Sequence, residues 1–144
     1  MFSNLRSSLP LSLDLASLLL RLAFGGLMAT LHGWSKFQSY SEKAAEWADP
    51  IGLGAPASLA LAIFGELVCG LLIMLGLFTR LATIPAMITM LVAVFFVHWN
   101  DPLADKEHAL LYLSAYAAIF FLGGGRYSLD AVLGGKMRSE RVRG

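Results

Sequence analysis

Four apolar runs separated by polar, proline-bearing or glycine-rich breaks set the pattern of this chain. They fall at about residues 12–32, 57–78, 81–99 and 107–122, most of them near the ~20 residues a helix needs to cross a bilayer. Ser12, with Asp14 in the following turn, reads as the start of the first helix. Residues 33–56 turn polar but keep Trp34, Phe37, Tyr40 and Trp47, which reads as an interfacial helix and loop, because Trp and Tyr favour the headgroup level. Thr79-Arg80 leaves room only for a tight antiparallel connection, and Pro85 is close enough to the start of the third helix to be tolerated. The fourth run is short and gains a turn if it begins at Leu103. The triplet Gly123-Gly124-Gly125 ends it, and Ser128 is placed to cap a small helix before a basic tail.

Composition turns this pattern into a class. Of 144 residues, 57% are hydrophobic and 15% charged, and the mean hydropathy is +0.67. Soluble domains carry about 25% charged residues. The expectation is an all-α membrane four-helix bundle with its N- and C-termini on the same side, formed by residues 1–134 and followed by a tail at 135–144. Asp14 and Arg21 bracket the run Leu15 to Leu20, and no small-residue cleavage site follows, so the first run reads as a span and not a leader. Basic residues cluster only at the last positions, which argues against a nucleic-acid partner. One cysteine, Cys69, offers no disulfide, no CxxC pair and no metal cluster.

Orientation follows from the Lys and Arg residues. With four spans, Arg6, Arg80, Arg126, Lys136, Arg138, Arg141 and Arg143 share the side of the termini, against Lys36, Lys43 and Lys106 opposite. The positive-inside rule then puts the termini in the cytoplasm of a bacterial-type inner membrane.

The candidate chemistry lies in the charges that interrupt the apolar runs. Glu66 sits inside the second, and a carboxylate at mid-membrane costs roughly 2.5 kcal/mol or more, so it needs protein, water or a partner charge. Arg21 is the other deep charge; taking helix starts and ends as above, the two differ in depth by ~4.5 Å, which predicts an Arg21–Glu66 pair. Such a pair serves either a ligand or merely helix register. Arg21, His32 and Lys36 share one face if the first helix continues. A second group, His32, Lys36, His98, Glu107 and His108, gathers at the opposite end. Its readings are headgroup contact, proton handling or a transition-metal site, and adjacent Glu107 and His108, about 100° apart, cannot easily serve one site. The expectation adopted is no metal. Tyr112 and Tyr116 form an aromatic stripe that either stacks on a flat ligand or packs between helices.

Together with Arg21, the segments HGWSKF (32–37), FGELVCGLLIMLGLFTR (64–80) and EHALLYLSAYAAIFFLGGGRYSLD (107–130) resemble the DoxX family of small four-helix membrane proteins over roughly residues 18–133. The resemblance departs at 123–125, where Gly-Gly-Gly stands for the family's frequent Gly-Pro-Gly. It implies kinship with the membrane subunit of thiosulfate:quinone oxidoreductase and with redox or stress-response systems of the membrane. On that reading the chain is an accessory subunit that interacts with quinone. Arg21, Glu66, His32, Lys36, His98, Glu107 and Tyr112 are its candidate ligand-binding residues, and a partner oxidoreductase or a second copy of the chain its associates. The sequence leaves open whether the chain is itself an enzyme. It has no haem, flavin or iron–sulfur motif of its own, and dithiol chemistry is excluded by the solitary Cys69. The alternative is a non-catalytic scaffold that recruits partner enzymes.

Overall fold

In a computed structural model the chain is described over residues 2–135, with side chains from Leu11 onward; the basic tail expected beyond Gly135 and the side chain of Arg6 lie outside that range. Four long helices carry the structure: α1 (residues 2–38), α2 (55–75), α3 (79–97) and α4 (Leu103–Leu122). No strand occurs among the described residues. Three helical stretches, Leu11–Gln38, Ala55–Leu75 and Thr79–Val97, are long and apolar enough to cross a membrane. α4 is as long as a span, at ~30 Å for twenty residues, but carries Asp105, Lys106 and Glu107 in its first turns.

α1 packs on α2, α2 on α3, α3 on α4, and α4 returns to α1. The surface is apolar: Leu19, Leu31, Leu81, Ile88, Phe96 and Phe121 are all more than half exposed. The interior instead holds small and aromatic residues, among them Ala29, Ala82, Ala86, Ala115 and Tyr116. This is the arrangement expected when the solvent is lipid and helices associate by close approach of small residues. Gly25 shows the requirement: a Cβ there would lie 2.8 Å from the Gly70 carbonyl and the Met74 amide of α2. At Gly33 the added atom would lie 2.5 Å from the Leu67 amide nitrogen.

Helix limits differ from the sequence expectation in ways that matter for the site. α1 passes through Ser12 without a break and continues to Gln38, so Ser12 is an interior residue and Lys36 belongs to the helix. α2 stops at Leu75, where Gly76 takes the left-handed conformation (φ 72°), three residues sooner than expected. α3 begins at Thr79, which makes Pro85 an interior residue; Thr89 bonds its carbonyl one turn on.

The end holding the α2–α3 turn and residues 123–135 is tied by one polar knot. Asp130 accepts from the Phe78 and Thr79 amides at 2.7 and 2.9 Å and from the Thr79 hydroxyl at 2.7 Å, capping α3 from a distant segment. Burial alone would raise its pKa, but these three bonds and the nearby Arg21 hold Asp130 below the usual carboxylate range. Ser17 bonds the Gly123 carbonyl, Asp14 accepts from the Arg126 amide, and the Ser128 hydroxyl caps the final turns through the Ala131 amide.

Candidate functional site

Arg21 and Glu66, expected to pair, are held apart by the register of α1 on α2. Gly25 lies against Gly70 and Met74, and Gly33 against Leu67. Arg21 therefore faces the C-terminal end of α2, whereas Glu66 faces the last turns of α1. The expectation failed because it set Ser12 level with Phe78; α1 begins well before Ser12 and runs past the end of α2, which stops at Leu75, so Arg21 lies beside Met74. The fully buried Arg21 guanidinium donates to the Met74 carbonyl at 3.2 Å and the Tyr127 carbonyl at 2.7 Å, with Asp130 close enough to attract it. It belongs to the knot at the turn end.

Glu66 finds its countercharge one helix turn beyond His32. Lys36 Nζ donates to Glu66 Oε2 at 2.5 Å, with the carboxylate side chain 8% exposed and the lysine 22%. Gly33 makes this reach possible, since the absence of a side chain lets the end of α1 close on α2. Lys36 also sits 6.0 Å from the centre of the Trp47 ring, so its charge is shared between a carboxylate and an aromatic face.

The pair opens into a cleft between α2 and α3. Its polar part, about 330 Å³, is lined by Lys36, Trp47, Glu66, Ala93, Val97 and His98, among others. An apolar arm of about 270 Å³, walled by Ile51, Leu61, Phe64, Pro85 and Ile88, shares Pro50, Ser58, Ala62, Thr89 and Val92 with it. The result is a continuous groove with an ion pair at one end and hydrocarbon along the other, opening to the lipid-facing side between two spanning helices.

The loop 39–54 roofs this groove because Asp49 anchors it to the start of α2. Its carboxylate accepts from the Leu53 and Gly54 amides at 2.9 and 2.8 Å and from the Ser58 hydroxyl at 2.7 Å. The Ser58 bond, then that of Gly54, holds Asp49 below the usual carboxylate range. Tyr40 bonds the Pro56 carbonyl and fastens the other side of the loop.

On the far side of the ion pair, His32 and His108 meet with their Nε2 atoms 3.0 Å apart. Tyr112 packs below both rings, and Tyr116 continues the stripe toward the core with no exposure. His98 is drawn instead to Asp101, at 2.6 Å, and contributes to the cleft wall. Glu107 points to another face of α4, where it lines a shallow groove with Leu103, Leu110 and Ser114. The structure thus joins Lys36 to Glu66 and His32 to His108 and Tyr112, while Arg21 and Glu107 stand outside the group. Among the described residues no three His, Cys, Asp or Glu side chains converge as a metal cluster.

Reasoning on the sequence missed Trp47 as a cleft residue and Asp49 as its anchor, and it missed the helical irregularity of the site. Glu66 lies in a π-helical segment, Phe64–Val68; His32 lies in another, Met28–Gly33; a third, Ala93–Val97, lines the cleft and leads to His98. Single π turns inside α-helices are rare and frequent at functional sites. The signal for them in the sequence is the pairing of glycines with polar residues inside apolar runs, Gly33 beside His32 and Gly65 beside Glu66.

No curated protein and no solved structure matches this chain. A family model does: DoxX matches residues 16–99, a stretch of 84 residues that holds α1 from Ala16, α2, α3 and the whole Lys36–Glu66 cleft but not α4. A multi-pass, all-helical membrane chain whose cleft lies within that match, it belongs to the DoxX family.

Proposed function

We propose that the chain is an accessory subunit of a membrane redox system and that the α2–α3 cleft receives a quinone. The observation that carries this reading is the Lys36–Glu66 pair, its carboxylate buried, at the polar end of a groove whose other arm is apolar. The donor set fits the group: Lys36 has three N–H donors and spends one on Glu66, leaving two to meet carbonyl oxygens, while Glu66 accepts a hydroxyl. Val92, Ala93 and Val97 would flank a flat ring, and the apolar arm toward Pro85 and Ile88 would take a lipid tail. Bound quinone supplies two-electron chemistry, with electrons coming from a partner oxidoreductase. The chain itself would orient the ring, hold a proton at Glu66 and exclude bulk water beneath the Trp47 loop.

Four spans with both termini in the cytoplasm complete the proposal. Arg80 and Arg126 lie at the turn end and Lys36, Lys43 and Lys106 at the loop end; the excess that the positive-inside rule asks of the cytoplasmic side comes from Arg6, Lys136, Arg138, Arg141 and Arg143, which the four-span reading assigns to the side of the termini.

The test is extraction and quantification of quinone from protein purified in mild detergent, comparing wild type with Lys36→Met, Glu66→Gln and Arg21→Gln. Near-stoichiometric quinone in wild type, lost in the first two variants and kept by folded Arg21→Gln, supports the cleft. Equal trace amounts in all four would overturn it.

A further inference from the structure

We infer that His32 and His108 form a two-histidine binding site for a divalent transition metal, Cu²⁺, Ni²⁺ or Zn²⁺, that bridges α1 and α4 at the loop end. The proposal stands on the histidine pair alone and does not depend on the cleft's ligand.

The two Nε2 atoms approach to 3.0 Å across helices that are 76 residues apart in sequence. Imidazole nitrogens bind these metals at about 2.0–2.1 Å, and two such ligands stand about 2.9 Å apart in cis positions near 90°, as at tetragonal Cu²⁺ or Ni²⁺, and about 3.3 Å apart at tetrahedral Zn²⁺. The separation in the protein is therefore already that of a shared ion. The rings are not stacked, since their planes are inclined at 51° with centroids 4.7 Å apart, so each presents its Nε2 edge to the other. Without metal, the Nε2–H of one ring donates to the other. On binding, that proton moves to Nδ1 of its own ring, which frees both Nε2 lone pairs with no net proton lost.

The surroundings favour the site being held in place. His32 sits on the π segment Met28–Gly33, which turns it toward α4, and Tyr112 packs against both rings from one turn below His108. His108 is exposed, giving an ion access from the aqueous end. The charges facing the pair are Lys36 from α1 and Glu66 from α2, which bond each other and cancel, so the site is not strongly cationic. No third His, Cys, Asp or Glu joins the pair among the described residues, so water would fill the remaining positions, as at an open metal site. Acid competes for the same lone pairs, so binding weakens as pH falls.

The experiment titrates Cu²⁺ into detergent-solubilised protein that carries no polyhistidine tag and follows binding by calorimetry and by electron paramagnetic resonance. Wild type should bind one Cu²⁺ with hyperfine structure from two imidazole nitrogens. His108→Ala and, separately, His32→Gln should each weaken binding by at least about tenfold, the least loss expected for a direct ligand when outer-shell partners alone cost 10–100-fold. His98→Gln should bind as wild type. Because exposed His108 can be replaced without opening the core, its variant keeps the test meaningful if His32→Gln fails to fold. Absence of binding by folded wild type, or a two-nitrogen signal that survives His108→Ala, would overturn the proposal.

Discussion

Lys36→Met isolates what the Lys36–Glu66 pair does. It keeps the length and apolar stem of the side chain but leaves a carboxylate 8% exposed with no countercharge. Removing one partner of a buried pair costs about 3–5 kcal/mol, because the remaining charge stays desolvated. The cleft admits some solvent at the lysine end, 22% exposed, which places the expected loss near the lower figure. Replacing both partners, Lys36→Met with Glu66→Met, removes the desolvation penalty together with the attraction and should lie within about 1 kcal/mol of wild type or above it. With a loss of about 3 kcal/mol for Lys36→Met and at most about 1 kcal/mol for the double variant, the double-mutant cycle should show a coupling of at least about 2 kcal/mol. Reversible unfolding in mixed micelles, followed by tryptophan fluorescence, measures all four proteins. The same cycle for Arg21→Gln with Glu66→Gln should give coupling near zero, since Arg21 bonds the Met74 and Tyr127 carbonyls at the other end. A Lys36–Glu66 coupling below about 0.5 kcal/mol, or an Arg21–Glu66 coupling as large as that of the lysine pair, would refute the register on which the site depends.

Other outcomes follow from the same geometry. Asp130→Asn removes the charged cap of α3 and should cost about 0.5–2 kcal/mol. Because the folded carboxyl of Asp130 titrates below its unfolded value, its contribution is full above about pH 4 and is lost as pH falls further; unfolding measured from pH 6 to 2.5 should show a shallower acid loss in the variant. Gly33→Leu puts a side chain where a Cβ would already lie 2.5 Å from the Leu67 amide, and should destabilise by about 1–3 kcal/mol or more and weaken the Lys36–Glu66 pair. Gly134→Ala, which meets nothing within 4 Å, should leave unfolding unchanged or slightly improved. Ala62→Phe fills the junction of the two cleft compartments and should abolish quinone retention while the unfolding midpoint stays near that of wild type.

Much of the architecture is legible in the chain because lipid imposes a simple rule: apolar runs of spanning length become helices, and Gly123–Gly125 ends the last of them, whereas Gly76, which ends α2, lies inside an unbroken apolar run. The demand that Glu66 find a partner was also readable from its cost alone. The partner's identity was not. It depends on helix register, and register is set by where small residues allow contact, at Gly25, Gly33 and Gly70, together with helix ends that shift by several residues without disturbing the apolar pattern. Counting residues inward from a presumed Ser12 start placed Arg21 too deep. The ambiguity between Glu107 and His108 was likewise a question of rotation; packing of Ala109, Tyr112 and Tyr116 against the core turns His108 toward His32. Asp49 and Asp130 act through backbone amides of distant or turn residues, which no periodicity encodes.

On the proposed reading, a quinone resides in the α2–α3 cleft headed by Lys36 and Glu66. Photolabelling of the purified protein with an azido-quinone bearing an isoprenoid tail, followed by peptide mapping, addresses it directly. Adducts should concentrate on residues 47–66 and 85–98, compete with unlabelled quinone, and vanish in Ala62→Phe. Adducts spread over the lipid-facing leucines of α1 and α4, unaffected by Ala62→Phe, would show that the cleft is not the quinone's site.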